Sequence, residues 1–168
     1  MTDTETPDTP EAPRKLTPEE KRQMKSAARL YAVQALYQME LGGQGVDRVM
    51  REFETFRFGQ VIDEEEYAEG DLNLFRRLCE DAVTWQAKID QATDRALVAK
   101  WPIDRIDPVL RALFRAAGAE LANPATPPKV VITEFVDVAR AFFPEGKEPK
   151  FVNAVLDHMA HEFRPEAF

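Results

Sequence analysis

The sequence predicts an all-α fold of two small helical bundles packed together, preceded by an acidic tail that stays disordered. Three observations carry this. From residue 17 onward, apolar residues return every three or four positions along most of the chain. No stretch alternates apolar and polar residues as a half-buried strand would. Prolines and glycines at Pro18, Gly42-Gly43, Pro102, Pro108, Pro124, Pro144 and Pro149 punctuate the periodic stretches.

Residues 1–16, MTDTETPDTPEAPRKL, hold three prolines and almost nothing to bury, so they read as the disordered tail. Thr17-Pro18-Glu19-Glu20 is a capping box with proline at the first helical position. The helix that it opens runs to about Leu41, where Gly42-Gly43 stops it. Its second half, from Ala28, is apolar almost all round, which suits a helix surrounded by others. Val46, Val49, Met50 and Phe53, with Phe56 close by, mark a short second helix. Residues 61–71, VIDEEEYAEGD, form an acidic connection, and Asp71 can cap the next helix.

From Leu72 to about Lys100 the stripe Leu72, Phe75, Cys79, Ala82, Trp85, Ile89, Ala92, Ala96 gives one long helix, or two with a bend. Pro102 and Asp107-Pro108 break it and place a subdomain boundary there, between about 17–100 and 104–168. Ile106, Leu110, Leu113, Ala117 and Leu121 define a further helix, ended by Asn123-Pro124. In the last third, Thr126 can cap a helix with Pro127 in its first position. Val131, Phe135, Val138 and Phe142 form that helix's buried stripe, opposite Thr133, Asp137 and Arg140. Pro144-Glu145-Gly146 ends it. Pro149 opens the final helix, whose stripe is Val152, Val155, Leu156, Met159 and Phe163.

Composition bounds the function. The chain has 168 residues, one cysteine and a formal net charge of −8. No apolar run approaches a membrane span and no leader pattern opens the chain, so a soluble cytoplasmic protein is expected. Cys79 alone makes neither an internal disulfide nor a multi-cysteine zinc site, and it reads as a small buried hydrophobe. The acidity is local: residues 1–20 hold six acids and 61–81 hold eight, while 21–39 hold Lys21, Arg22, Lys25 and Arg29 and none. A small basic face therefore survives the negative total.

Two clusters fit nucleic acid. Arg22, Lys25 and Arg29 lie at i, i+3 and i+7, on one helical face with Lys21 beside them, which suits phosphate contacts or simply a solvated cationic helix end. In the first turn of the last helix, Phe151 stands close to Lys147 and Lys150; it could stack a base beside bound phosphate, or pack as core against the preceding helix. Gln34 and Tyr37, a turn apart, read equally as core groups with satisfied hydrogen bonds. Enzyme chemistry finds no foothold. There is no phosphate-binding glycine motif, no nucleophile with a histidine partner, and no third ligand for His158 and His161, so neither cofactor nor metal is expected.

PPKVVITEFVDVAR followed by KFVNAVLDHMA resembles the C-terminal signature of the NusB family of bacterial transcription antitermination factors, with Thr133, Phe135 and Ala154 departing from its usual form. AARLYAVQALYQME (27–40) and IDRIDPVLRALFRAAGAEL (103–121) agree in the expected order. The resemblance implies two helical bundles and no catalysis. It implies pairing with NusE, a small-subunit ribosomal protein, and binding of boxA in nascent RNA. Together with other Nus factors on the RNA polymerase elongation complex, that assembly suppresses premature termination, notably in ribosomal RNA operons.

By the same resemblance, Lys21, Arg22, Lys25 and Arg29 stand in an arginine-rich RNA-binding segment, here thinned at Ser26 and Ala27. Gln34 falls near the RNA side, Tyr37 meets the ribosomal-protein partner, and Lys150 and Phe151 contact RNA. Lys147 stands where relatives commonly carry a polar or acidic residue. Leu110 stands where many carry glutamate near the NusE surface. The competing expectation is a protein-interaction module that dimerises through the partner face without touching RNA. The domain also occurs fused to RNA cytosine methyltransferases, but no catalytic domain is expected in a chain ending at Phe168.

Overall fold

The computed structural model describes residues 15–56, 58, 61–62, 65–66, 71–100 and 106–168. The expected tail falls almost wholly outside them, as do residues 101–105 of the expected subdomain boundary.

Among the described residues seven helices follow in order: α1 (Pro18–Gly42), α2 (Val46–Phe56), α3 (Leu72–Thr84), α4 (Gln86–Lys100), α5 (Pro108–Leu121), α6 (Pro128–Phe142) and α7 (Glu148–Phe163), with a final 3-10 turn at Pro165–Ala167. Between α2 and α3, where only an acidic connection is expected, β1 (Val61–Ile62) pairs antiparallel with β2 (Glu65–Glu66). Two residues a side make a turn rather than a sheet layer, so the fold remains all-α.

Local chemistry sets most of the helix ends. Thr17 Oγ1 accepts the Glu20 N–H at 3.1 Å, and Asp71 and Asp107 cap α3 and α5 by accepting from Leu74 and Val109 N–H. Gly43, at φ 65°, closes α1 in the left-handed conformation that only glycine adopts freely. One start differs by a residue from expectation. Pro128 is the first residue of α6, Pro127 is its extended cap, and Thr126 donates no capping oxygen. The second of two adjacent prolines takes the helical position because it holds the preceding residue in extended backbone.

α5 is the axis of the molecule. It packs against α1, α3, α4, α6 and α7, and every residue from Ala116 to Leu121 is buried. Such a helix needs small residues where neighbours come close. At Gly118 an added Cβ would lie 2.5 Å from Cγ2 of Ile89 in α4, so glycine sets that crossing distance. Around this axis α3 lies against α1 and α2, whereas α4 lies mainly against α5 and α7.

Phe58 links Tyr31 (5.4 Å, edge-on) to Phe75 (4.9 Å), and Phe53 stacks on Phe75 at 5.8 Å, filling the space between α1, α2 and α3. Arg115 forks onto Asp90 with both distances 3.0 Å, and Arg111 pairs with Glu40, so α1, α4 and α5 are cross-tied at the rim. Cys79 is fully buried, and desolvation, with Glu80 adding, pushes its thiol up to about 12.

Two members of the expected stripes are not in the core. Trp85 is 52% exposed because it forms the break between α3 and α4, where its backbone leaves helical geometry and the periodicity loses phase. Phe56, at 63%, is the last residue of α2 and projects past the packed part of the helix.

Candidate nucleic-acid interface

The first turns of α1 and α6 stand side by side and enclose an open groove of about 690 Å3. Pro18, Lys21, Arg22, Lys25 and Arg29 line one wall, and Thr126, Pro127, Lys129, Val130, Thr133 and Glu134 line the other. The α1 wall is the face that the i, i+3, i+7 spacing picks out. The α6 wall is not visible in that spacing, because it comes from a segment about a hundred residues later in the chain.

The structure divides the expected basic stripe into two parts. Lys21, Arg22 and Lys25 are exposed, and among the described residues Arg22 pairs only with exposed Glu19 across one helical turn, a weak interaction in water. Arg29 is 3% exposed. Its Nε and Nη2 donate to the two Glu120 carboxylate oxygens at 2.7 and 2.8 Å, and its Nη1 lies 3.5 Å from Glu134 Oε2. Burial opposes its charge, but the hydrogen bonds and attraction of Glu120, with Glu134 and Asp71 adding, outweigh it and hold its pKa above the ordinary arginine value. Arg29 is therefore a buried strut of the groove, with its fork filled by carboxylate. Glu134 also accepts from Ser26 Oγ at 2.9 Å, which ties α6 to α1 directly.

The second cluster gathers on the first turn of α7. Lys147 and Lys150 are exposed, while Phe151 is half-buried and meets Phe114 edge-on at 6.1 Å. The ring is thus packed against the core without being fully buried. Lys129 is near the start of α6 and Lys147 follows its end. Fifteen residues at about 1.5 Å rise put the two basic clusters about 20 Å apart.

Gln34 and Tyr37 lie farther along α1 and line a different groove of about 480 Å3, with Gln38, Leu41, Gly42, Gln44 and Phe53. Gln34 Oε1 is buried there without a hydrogen-bond partner among the described residues. An adjoining hollow shares Gln38 and Phe53 and adds Phe56. Leu41 and Phe56, each 63% exposed, add apolar surface to these two hollows. Neither is singled out by sequence, where Leu41 marks only the end of the first helix and Phe56 lies close to a core stripe. Leu110, expected at the partner surface, is 6% exposed and packs in the core. An aliphatic side chain at helical spacing with Leu113 and Ala117 is drawn inward, which removes it from the candidate surface.

No group of three or more His, Cys, Asp or Glu among the described residues could hold a metal ion. His161 Nδ1 is 2.8 Å from Asp157 O and its ring stacks on Phe168 at 3.7 Å. Among the same residues, no helix is long and apolar enough to cross a membrane.

The sequence model of the NusB family matches residues 26–161, a span that takes in all of α2 to α6 and most of α1 and α7. A transcription antitermination protein NusB of Maricaulis maris is 46% identical over 156 residues, covering 92% of this chain and 97% of the relative. Its namesake from Agrobacterium fabrum is 47% identical over 144 residues, covering 85% and 87%. In a crystal structure of the antitermination factors NusB and NusE in complex with dsRNA, one chain is 27% identical with a TM-score of 0.64, covering 83% of this chain and 97% of that one. The chain belongs to the NusB family.

Proposed function

We propose that this protein is an RNA-binding transcription antitermination factor that holds boxA RNA together with NusE and joins the RNA polymerase elongation complex with other Nus factors. The observation that carries this reading is the groove between α1 and α6, where Lys21, Arg22, Lys25 and Lys129 collect around one concave surface of an otherwise acidic chain. A concentrated positive patch is what a phosphate backbone requires, and net charge matters less than where the cations sit.

The division of labour follows from the chemistry of each cluster. The groove cations of α1 contact phosphates and fix the strand's position without reading sequence. About 20 Å away, Lys147 and Lys150 hold further phosphates while the exposed part of the Phe151 ring stacks an unpaired base. A strand that lies along α6 touches both clusters, and such a span falls within the reach of single-stranded sites of roughly 4–16 nucleotides. Gln34 lies farther along α1 and contributes to the partner groove. Tyr37, Leu41 and Phe56 form the surface on which NusE docks.

The test is readthrough. A template carrying boxA upstream of a terminator is transcribed with NusE and the other Nus factors, with and without the full chain. The protein is expected to raise the fraction of transcripts that pass the terminator, and only when boxA is intact. Equal readthrough with and without the protein would refute the proposal.

A further inference from the structure

The groove has two walls, and only the α1 wall belongs to the segment in which RNA contacts are expected. Resting on the RNA-binding reading above, we infer that α6 supplies the second phosphate-binding wall, with Lys129 taking a backbone phosphate across the groove from Arg22 and Lys25.

Three features support this. Lys129 is exposed, lines the groove and makes no ion pair among the described residues; the same holds for Lys21 and Lys25. The one carboxylate on the wall, Glu134, is directed to Ser26 and Arg29, so it leaves these cations unneutralised. Like charges collected around one concavity repel each other, and an anion seated between them relieves that repulsion.

The wall is also held in place. Arg164 Nη1 donates to the carbonyl oxygens of Asn123 and Thr126 at 3.0 and 3.2 Å, clamping the α5–α6 connection from the C-terminal side. Asn123 Oδ1 accepts the Ala125 N–H at 2.9 Å within that connection, and Pro128 is buried at the helix start. With the Ser26–Glu134 bond on the inner side, the first turn of α6 is fixed relative to α1. A cation carried on a fixed wall loses less freedom when a phosphate arrives than one on a mobile segment. Val130, 42% exposed beside Lys129, adds apolar surface for a ribose or base edge.

The experiment titrates a labelled boxA-type single-stranded RNA with the full chain at about 50 and 200 mM salt, comparing wild type, Lys129→Ala, Lys129→Arg and the Arg22→Ala/Lys25→Ala double variant. Each lost phosphate contact lowers the slope of log K against log salt by about 0.7, so the affinity ratio between the two salts shrinks about 2.6-fold for Lys129→Ala. Lys129→Arg is expected to restore the wild-type slope, with melting temperatures unchanged because the position is exposed. A wild-type slope in Lys129→Ala, alongside a reduced slope in the double variant, would overturn the α6 wall and leave the RNA reading standing. Wild-type protein with no salt-sensitive RNA binding would instead overturn the RNA reading itself.

Discussion

Replacing Glu120 with alanine removes the main partner of a cation that is 3% exposed, and the size of the effect depends on the partners that remain. In the wild type, Glu120 accepts from Arg29 through both oxygens at 2.7 and 2.8 Å. Without it, Arg29 keeps only Glu134, at 3.5 Å from one nitrogen and already bonded to Ser26. Breaking a buried pair from one side costs about 3–5 kcal/mol, because the surviving charge stays desolvated. The residual attraction of Glu134 and the nearby groove place the expected loss at the lower end, about 3 kcal/mol. For a chain of this size that corresponds to a fall in Tm of about 6–12 °C.

The Arg29→Met/Glu120→Leu double variant removes both charges and keeps apolar bulk, so it is expected to recover most of that loss. Urea and thermal unfolding of the wild type, both single variants and the double variant give the coupling directly. A Glu120→Ala loss below about 1 kcal/mol would refute the reasoning, since it would place the pair in water rather than in the α1–α5 interface.

Other positions test other parts of the structure. Gly118→Ala puts a methyl group 2.5 Å from Ile89 Cγ2, so an overpacking cost of about 1–3 kcal/mol should exceed the roughly 1 kcal/mol gained in helix propensity; combining it with Ile89→Ala should cost less than the sum of the two. Phe151→Ala should weaken RNA binding while lowering stability by about 1–2 kcal/mol, because only part of the ring is buried; a collapse of the fold in circular dichroism would make Phe151 core alone. Cys79 should resist a thiol reagent at neutral pH until the protein unfolds. Its folded-state pKa is raised to about 12 from 9.0, so the unfolded chain gives up this proton first and stability falls as pH rises above about 9. The difference between wild type and Cys79→Ala in unfolding free energy across that alkaline range isolates the contribution; a constant difference would contradict it.

Most of what a few neighbouring residues fix was legible in the sequence, although α6 starts one residue later than Thr126 and Pro127 suggest. The Thr17–Glu20 cap, the Gly43 stop and the Asp71 cap are local hydrogen-bond or backbone decisions, and they appear where the residues put them. The basic stripe shows where local reading ends. Arg22, Lys25 and Arg29 share one face of α1, but that face passes from solvent into an interface as the helix meets α5. Spacing says which side a residue is on and nothing about where the neighbouring helix begins to cover it. Arg29 changes role for that reason, and Lys129 escapes local reading because it reaches the groove from another helix. Trp85 and Phe56 fail differently: each sits at a helix end, where a stripe extrapolated by one more turn no longer points inward. Leu110 draws two opposed expectations, a core position from its spacing and a partner contact from resemblance, and the apolar side chain follows the spacing.

The central claim, sequence-dependent RNA binding shared with NusE, is tested most directly by titrating labelled boxA-type RNA and a scrambled control with the full chain, alone and with NusE, at two salt concentrations. The expected result is preference for boxA, strengthening on addition of NusE, and a steep loss of affinity with salt. Equal binding of the two RNAs with NusE present would contradict it and leave a NusB-family scaffold acting through protein contacts alone.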